Sequence, residues 1–226
     1  PLQYRYRYLS RIPVPPSAAL SLGDAIHKTL RDFYQGIRDG RKLQEKDLLE
    51  MLKINWSSQG FANKVHEEKA RRQAEKMLRQ FFKKRDLRVI PKDLEQSFMI
   101  KISPELKVGG KIDWVAEKGR QLEIIDYKTG RVWDQKAVDQ SLQMTVYALA
   151  ATDRGIYNRR PEDLILTFYF LETTEKKSTR RTLEQLTKTK KDLLIKAKEI
   201  SQSAFEPTPG RWCDFCDFKL ICEAWS

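Results

Sequence analysis

The sequence predicts an α/β protein with a mixed central β-sheet of about four to five strands flanked by helices. Three observations support this class. Residues 21 to 87 carry apolar side chains at helical spacing, residues 94 to 130 have the pattern of strands joined by short turns, and helix, strand and helix then follow to residue 205. Strands joined by hairpins are antiparallel, whereas a helical crossover adds a parallel strand, so one sheet contains both kinds of pairing.

Length and composition describe a soluble, strongly basic chain. It has 226 residues, 40% hydrophobic and 33% charged, and a net charge of +12. No apolar run approaches the ~20 residues of a membrane helix, and the start PLQYRYRY lacks a signal-peptide pattern. We therefore expect a cytoplasmic or nucleoid-associated protein, and the missing initial Met indicates a fragment or a processed chain. The charge favours a polyanionic partner, nucleic acid first and an acidic membrane surface second, over a generally basic surface.

The N-terminal part is predicted to be mainly helical. Residues 1 to 16 are expected to be an irregular entry, because the prolines at 13, 15 and 16 prevent a helix. A helix then begins at Ser21, with its apolar face formed by Leu22, Ile26, Leu30, Phe33 and Ile37. A short helix and a loop follow in residues 43 to 62, and a strong basic helix occupies residues 64 to 87.

Three strands are predicted in the middle of the chain. The first, 94–102, alternates between apolar and polar residues; the second, 106–118, is broken by Gly109 and Gly110; the third is 121–130. The short EKGRQ segment between the second and third strands is typical of a hairpin turn. These two strands are therefore expected to be antiparallel neighbours.

The remainder of the core alternates between helix and strand. Residues 135–155 are predicted as a helix stopped by a glycine, 163–173 as a strand whose apolar middle favours the sheet interior, and 178–205 as a long basic helix. We expect one domain, made of a helical region (1–62), an α/β core (63–205) and a cysteine-rich tail (206–226).

The chemistry is expected on the second and third strands. Asp126 and Lys128 are two residues apart, so their side chains share one face of the strand, and the hairpin can bring Asp113 beside Asp126. Buried carboxylates are costly unless cations compensate them, and a hard divalent cation such as Mg²⁺ or Mn²⁺ prefers oxygen ligands. The alternative is an ordinary exposed ion pair near a strand end, because the D-x-K pattern often occurs by chance.

Five short segments occur in the order found in a known family. They are GDAIHKTL with His27, LEQSF with Glu95, GGKIDWV with Asp113, IIDYKTG with Asp126 and Lys128, and QMTVY with Gln143 and Tyr147. Together they resemble the PD-(D/E)XK nuclease superfamily in its RecB-like branch, as in AddB and the CRISPR-associated RecB-like exonucleases. The resemblance runs through nearly the whole chain and implies a restriction-endonuclease-like core.

The resemblance also implies a role for each of these residues. Mg²⁺ or Mn²⁺ would be held by His27, Asp113, Asp126 and the backbone carbonyl of Tyr127. The catalytic set would be Asp113, Asp126, Lys128 as catalytic lysine, Gln143, Tyr147 and Glu95. Taken alone, three of them have structural alternatives: a helical histidine for His27, a strand surface charge for Glu95 and a core residue for Tyr147.

All three cysteines lie near the end of the chain with the spacing C-x₂-C-x₅-C: Cys213, Cys216 and Cys222. The spacing alone fits zinc with a further ligand, or free thiols in a small cap. The resemblance implies instead a [4Fe-4S] cluster whose fourth ligand is a cysteine immediately upstream of Pro1. We then expect the cluster to join the two chain ends as a structural staple in the parent protein. An empty or degraded site is the alternative for the chain that starts at Pro1.

The function implied by the resemblance is a metal-dependent DNA nuclease, acting as an exonuclease on DNA ends or single strands. It would work alone or with a helicase domain or subunit in DNA repair and recombination, with no membrane partner. Two alternatives are a catalytically idle DNA-binding domain and a nuclease for CRISPR spacer acquisition. The idle domain is disfavoured because idle copies tend to lose Asp113, Asp126 and Lys128.

Basic and aromatic residues provide candidate contacts to DNA. The Lys- and Arg-rich stretches 64–88 and 176–198 are expected to neutralise phosphates, or else to be solvated helix faces. Four aromatic residues are candidates for stacking on unpaired bases: Trp56, Phe61, Trp114 and Trp133. Trp133 is the best placed because it follows the D-Y-K-T-G segment directly.

Overall fold

A five-stranded mixed sheet forms the centre of the protein in a computed structural model that describes residues 1–86 and 88–225. The strands follow one another in chain order across the sheet, and only the third and fourth are parallel. This confirms the predicted mixed sheet. The strands are β1 (Asp93–Lys101), β2 (Lys107–Lys118), β3 (Gln121–Lys128), β4 (Leu164–Phe170) and β5 (Glu175–Thr179).

Helices cover both faces of the sheet. The α-helices are α1 (Leu2–Tyr4), α2 (Ala18–Arg38), α3 (Glu45–Asn55), α4 (Lys64–Lys84), α5 (Gln135–Asp139), α6 (Leu142–Thr152) and α7 (Leu183–Ser201). A π-helix spans Arg5–Leu9, and short 3₁₀ turns span Pro161–Asp163, Cys213–Phe215 and Lys219–Ile221. Leu87, which the sequence pattern assigns to the helix that is now α4, lies outside the described residues. No helix in the described part of the chain is both long and apolar enough to cross a membrane.

Two hydrophobic clusters fix the helices on the sheet. The α6 face, the side packed against α6 and α7, contains Ile124, Met144, Leu166, Phe168 and Leu186. The α2 face, the side packed against α2, α3 and α4, contains Ile26, Phe33, Leu52, Phe81 and Ile125. The apolar residues predicted for the first long helix therefore do face the core, and α2 starts at a serine cap, where the Ser17 side chain accepts from the amide of Leu20.

The N-terminal segment differs from its prediction as an irregular entry. Residues 2–9 are helical, because Pro1 precedes the first turn and the other prolines of this region, at positions 13, 15 and 16, follow the last one. Leu2 and Tyr6 are buried there against Phe218 of the C-terminal tail. The Tyr6 hydroxyl donates to the carbonyl of Ile221 at 3.1 Å, so the two ends of the described chain pack together.

The second strand also differs, since Gly109 and Gly110 do not break it. They pair with Met99 and Phe98 in a continuous antiparallel ladder. A Cβ atom on Gly110 would lie 2.6 Å from the ring of Phe98, and one on Gly109 would lie 2.8 Å from Met99 Cε. The two glycines therefore let the side chains of β1 lie across the backbone of β2.

Two further boundaries were wrong in the second half of the chain. The helix predicted for 135–155 consists of α5 and α6, because Ser141 stops one helix and caps the next by accepting from the amide of Met144. The helix predicted from residue 178 begins at Leu183, since residues 175–179 form the edge strand β5. The capping box of Thr182 and Gln185 sets this later start.

Candidate active site

The end of the β2–β3 ladder brings two carboxylates together. The last paired residues are Trp114 and Ile125, so Asp113 and Asp126 come next on the two strands. Asp113 Oδ2 accepts a hydrogen bond of 2.8 Å from the backbone N–H of Tyr127, in the position where a strand carbonyl would otherwise pair. Both carboxylates are more than nine-tenths buried.

Asp126 and Lys128 belong to a network completed by α6. Lys128 Nζ lies 2.6 Å from Asp126 Oδ2 and donates to Gln143 Oε1 at 2.9 Å. The Gln143 amide in turn donates to Asp126 Oδ1 at 2.5 Å and to Tyr147 Oη at 2.9 Å. The Tyr147 hydroxyl has acceptors in Asp126 Oδ1 at 3.0 Å and the carbonyl of Lys111 at 2.8 Å. Because Gln143 and Tyr147 are one helical turn apart, a single face of α6 holds both groups.

One oxygen of Asp126, Oδ2, has the ammonium of Lys128 as its polar neighbour in this network. Oδ2 is buried, and no residue in the described part of the chain donates a well-aligned hydrogen bond to it, although the charge of Lys128 is close. Burial, followed by the negative charge of Asp113, raises the pKa of Asp126, and Lys128 opposes that rise. A buried carboxylate oxygen that is balanced by one ammonium and accepts no well-aligned hydrogen bond retains lone pairs with which it can bind a cation.

A second group of potential ligands lies beside this network. His27 of α2, Glu95 of β1 and Asp113 of β2 each offer one ligand atom, and these three atoms lie within 4.8 Å of one another. His27 Nδ1 is 3.2 Å from Asp113 Oδ1 and 3.9 Å from Glu95 Oε1. The other oxygen of Glu95 pairs with Lys111.

The charges around His27 outweigh its burial. Burial lowers the pKa of the imidazole, but its hydrogen bond to Asp113 and the charges of Asp113, Asp126 and Glu95 together raise that pKa above the usual value. The structure thus surrounds one imidazole with three carboxylates. Such an excess of negative charge attracts a cation to this part of the site.

Glu95 reaches the group through an irregular backbone. Its φ is 48°, which is unfavourable for a residue with a side chain. Leu94 packs on the α2 face but Phe98 on the α6 face, although residues four apart on a regular strand share a face. Strand β1 therefore changes sides near Glu95, opposite Asp113 in the ladder. Such strain is commonly retained at functional sites.

The donor set fits a hard divalent cation. It combines an imidazole with carboxylate oxygens, one of which is balanced only by the Lys128 ammonium, and Mg²⁺ and Mn²⁺ accept such ligands. His27, Glu95 and Asp113 form the compact group, and Asp126 lies next to Asp113 across the hairpin, where its charge acts on His27. The backbone N–H of Tyr127 contacts the Asp113 carboxylate. Because the N–H and C=O of a strand residue point to the same side, its carbonyl also faces β2.

The aromatic candidates separate into different environments. Trp114 is only 3% exposed and lies in the α2-face core, so the prediction that it stacks on bases is wrong. Trp56 and Phe61 stack on each other, with ring centroids 5.6 Å apart. Trp133 is 38% exposed and its ring centroid lies 5.8 Å from Lys128 Nζ.

Sequence reasoning missed Lys111, the partner of Glu95. The sequence does contain a signal for this residue, because Lys111 and Asp113 are two residues apart on one predicted strand. Side chains with this spacing lie on the same face of a strand. Its carbonyl accepts from Tyr147 and its ammonium pairs with Glu95, so Lys111 links the two halves of the site.

The cysteine tail forms a separate feature. Cys213, Cys216 and Cys222 are free thiols and border a cavity of about 150 Å³ together with Pro1 and Trp225. Within the described residues, the compact group of ligand atoms is the one around His27, and the three cysteines form no group as tight. The tail therefore brings the cysteines next to the N-terminal residue without gathering their sulfur atoms into a mononuclear site.

Comparison with known proteins identifies the family. The chain matches the model of the PD-(D/E)XK nuclease superfamily over residues 1–223. A search of curated proteins returns no match. Among solved structures the chain is similar to one titled "Crystal structure of SSO0001", with 14% sequence identity, a TM-score of 0.38, and coverage of 100% of this chain and 96% of that chain. Because the match to the superfamily spans almost every residue, this protein belongs to the PD-(D/E)XK nuclease superfamily, and its five-stranded sheet is the restriction-endonuclease-like core.

Proposed function

We propose that this protein is a divalent-metal-dependent nuclease that hydrolyses phosphodiester bonds in DNA, as an exonuclease on DNA ends or single strands. One observation carries the proposal. The pair of buried Asp126 and half-buried Lys128 is held by Gln143 beside the group of His27, Glu95 and Asp113. A carboxylate, a lysine and a cation site in one place are the parts needed to bind and cleave a phosphodiester.

Each side chain has a distinct task in this proposal. When bound by His27, Asp113 and Asp126, Mg²⁺ or Mn²⁺ would polarise the phosphate and lower the pKa of a water molecule. Lys128 supplies the ammonium that contacts Asp126, and it is aimed by Gln143 and Asp126. Its charge stabilises the additional negative charge that develops on the phosphate, and its N–H groups orient the attacking water.

The roles of the supporting residues follow from their contacts. Gln143 and Tyr147 both contact Asp126 Oδ1, so Oδ2, which faces the Lys128 ammonium, is the oxygen that would bind the cation. Glu95 draws the cation toward His27 and is itself balanced by Lys111. The site is thus organised before the substrate arrives, which avoids reorganisation during the reaction.

The choice of DNA and of partners rests on charge. The net charge of +12 and the exposed lysines of α7, of whose residues only Leu186 is buried, favour a polyanion held through its phosphates. We extend the proposal to a helicase domain or subunit as partner, in DNA repair or recombination, in the cytoplasm or at the nucleoid.

The tail supports a second part of the proposal, a [4Fe-4S] cluster on Cys213, Cys216 and Cys222. The supporting observation is that Pro1 borders the same cavity as the three thiols, so a ligand immediately upstream of Pro1 would reach them. Protein that carries its native residue before Pro1 should be brown, with near-stoichiometric iron and sulfide. An upstream residue other than cysteine, together with no bound iron, would remove this part.

Cleavage of labelled single- and double-stranded DNA in Mg²⁺ or Mn²⁺ tests the nuclease proposal. We expect cleavage by the wild type, and a loss of at least about 100-fold in Asp126→Ala and Lys128→Ala, the size typical of removing one stabilising group. Lys46→Ala removes an exposed charge on α3 and serves as the matched control. DNA binding without metal-dependent cleavage by the wild type would instead favour an idle DNA-binding domain.

A further inference from the structure

Trp133 lies over the same side of the sheet as the Asp126–Lys128 pair. In the parallel register Asp126 is beside Phe168 and Lys128 is beside Phe170, so these four side chains share the α6 face. The ring centroid of Trp133 is 5.0 Å from that of Phe168 and 6.3 Å from that of Phe170, with the rings inclined at 65° and 58°. Two phenylalanines therefore hold the tryptophan ring beside the reacting groups.

The segment that carries Trp133 is anchored on both sides. Val132 packs against the α6-face core, and the Asp134 side chain caps α5 by accepting from the amide of Ala137 at 2.7 Å. Trp133 nevertheless remains 38% exposed. A rigid, half-exposed aromatic ring offers a large contact surface and loses little conformational entropy when a ligand binds.

Two lysines lie on the face of the sheet that carries this ring, and the second of them, Lys177, also pairs with Glu175 at 3.5 Å. Lys128 Nζ is 5.8 Å from the centroid of Trp133 and 4.9 Å from that of Phe168. On the next strand Lys177 is paired with Phe168 in the register and therefore lies on the same face. A base on the ring would thus have ammonium groups near the phosphates that flank it.

The other tryptophans are placed differently. Trp114 is buried in the core, and Trp56 stacks on Phe61 and donates to Glu67. Trp212 and Trp225 belong to the C-terminal tail. Trp133 is therefore the tryptophan that adjoins the lysine of the site, and all five tryptophans lie in the described part of the chain.

We propose that Trp133 is a stacking site for an unpaired nucleobase next to the scissile phosphate. This inference rests on the proposed nuclease function and adds the residue that would hold an unpaired base of single-stranded or frayed DNA. A base inside a duplex is covered on both faces by its neighbours, so only an unpaired or terminal base can place its π-face on the ring. Such stacking tolerates any sequence because every base has a π-face.

A cycle of substitutions in the enzyme and in the substrate tests this. Single-stranded oligonucleotides with all bases present are compared with the same oligonucleotides carrying one abasic residue. The abasic residue lies next to the phosphodiester bond whose cleavage is measured. We expect Trp133→Ala to lower kcat/KM on the intact strand by roughly 5- to 100-fold, the size typical of one stacked base. The abasic residue should lower wild-type cleavage by a similar factor, with no further loss in Trp133→Ala.

Two more variants fix the interpretation. Trp133→Phe keeps a stacking ring and should recover most of the lost cleavage. Tyr8→Ala removes an exposed ring that packs against Tyr4. This variant should cleave the intact and the abasic oligonucleotides at the wild-type rates. A duplex without frayed ends should be a poorer substrate than a single strand for the wild type, and Trp133→Ala should narrow that difference.

The failure of this inference is distinct from that of the nuclease proposal. Equal losses for Trp133→Ala on intact and abasic strands would mean that the ring only supports Lys128, and unchanged cleavage of both strands would mean that it does nothing. Either result overturns the stacking site while cleavage by the wild type continues. Undiminished cleavage by Asp126→Ala would overturn the nuclease centre itself.

Discussion

Replacing Gln143 by leucine should lower kcat of DNA cleavage by roughly 30- to 160-fold. The substitution keeps the volume of the side chain but removes three hydrogen bonds, to Asp126, Tyr147 and Lys128. Two of them involve ionised groups, each worth about 1.5–3 kcal/mol. Gln143 is half-buried, so water replaces part of the lost hydrogen bonding. We therefore expect the transition state to lose about 2–3 kcal/mol of stabilisation, and each 1.36 kcal/mol corresponds to a tenfold change in rate.

The assay is steady-state cleavage of a labelled single strand at saturating Mg²⁺. We expect kcat to fall with KM nearly unchanged, because the lost contacts aim Lys128 and Asp126 rather than bind distant parts of the substrate. The neighbouring exposed Leu142, replaced by alanine, provides the control and should cleave within about twofold of the wild type. A Gln143→Leu enzyme within threefold of the wild type would refute the positioning argument.

Three stability predictions follow from the packing. Gly110→Ala places a Cβ 2.6 Å from the ring of Phe98 and should lower the free energy of unfolding by about 1–3 kcal/mol in urea, whereas Gly130→Ala meets open space and should change it by less than about 0.5 kcal/mol. Arg181→Met removes a buried guanidinium that donates to hydroxyls and carbonyls, and should cost about 3 kcal/mol by the same measurement. Tyr6→Phe removes one hydrogen bond to the C-terminal tail and should lower the free energy of unfolding by about 1 kcal/mol. It should also speed proteolysis of the C-terminal residues. Equal stability of the two glycine variants, or wild-type behaviour of the others, would contradict the packing described.

The central hairpin and the site around it follow closely from the sequence. The apolar runs of β2 and β3 and the two-residue turn at Gly119 are local features, so the pairing of Asp113 beside Asp126 is fixed once the turn forms. The separation of Gln143 and Tyr147 by one helical turn likewise predicts that both reach the same place. Local periodicity is sufficient for these residues because each position depends on a few neighbours.

Other features depend on contacts that local patterns do not encode. Strand β5 is short and lysine-rich, and it is a strand because its backbone pairs with β4. The change of side of β1 at Glu95 depends on residues distant in sequence, namely Asp113 on the neighbouring strand β2 and His27 on helix α2. The helical start of the chain likewise depends on Phe218, more than 200 residues away. In each case tertiary contacts override the local preference.

The position of a bound Mn²⁺ ion tests the central claim most directly. Crystals of the protein soaked in Mn²⁺ and measured near the manganese absorption edge would locate the ion by its anomalous scattering. We predict one main peak in direct coordination with Asp113, Asp126 Oδ2 and His27. A peak elsewhere, or none at Mn²⁺ concentrations that support cleavage, would contradict the assignment of this group as the metal centre of the nuclease.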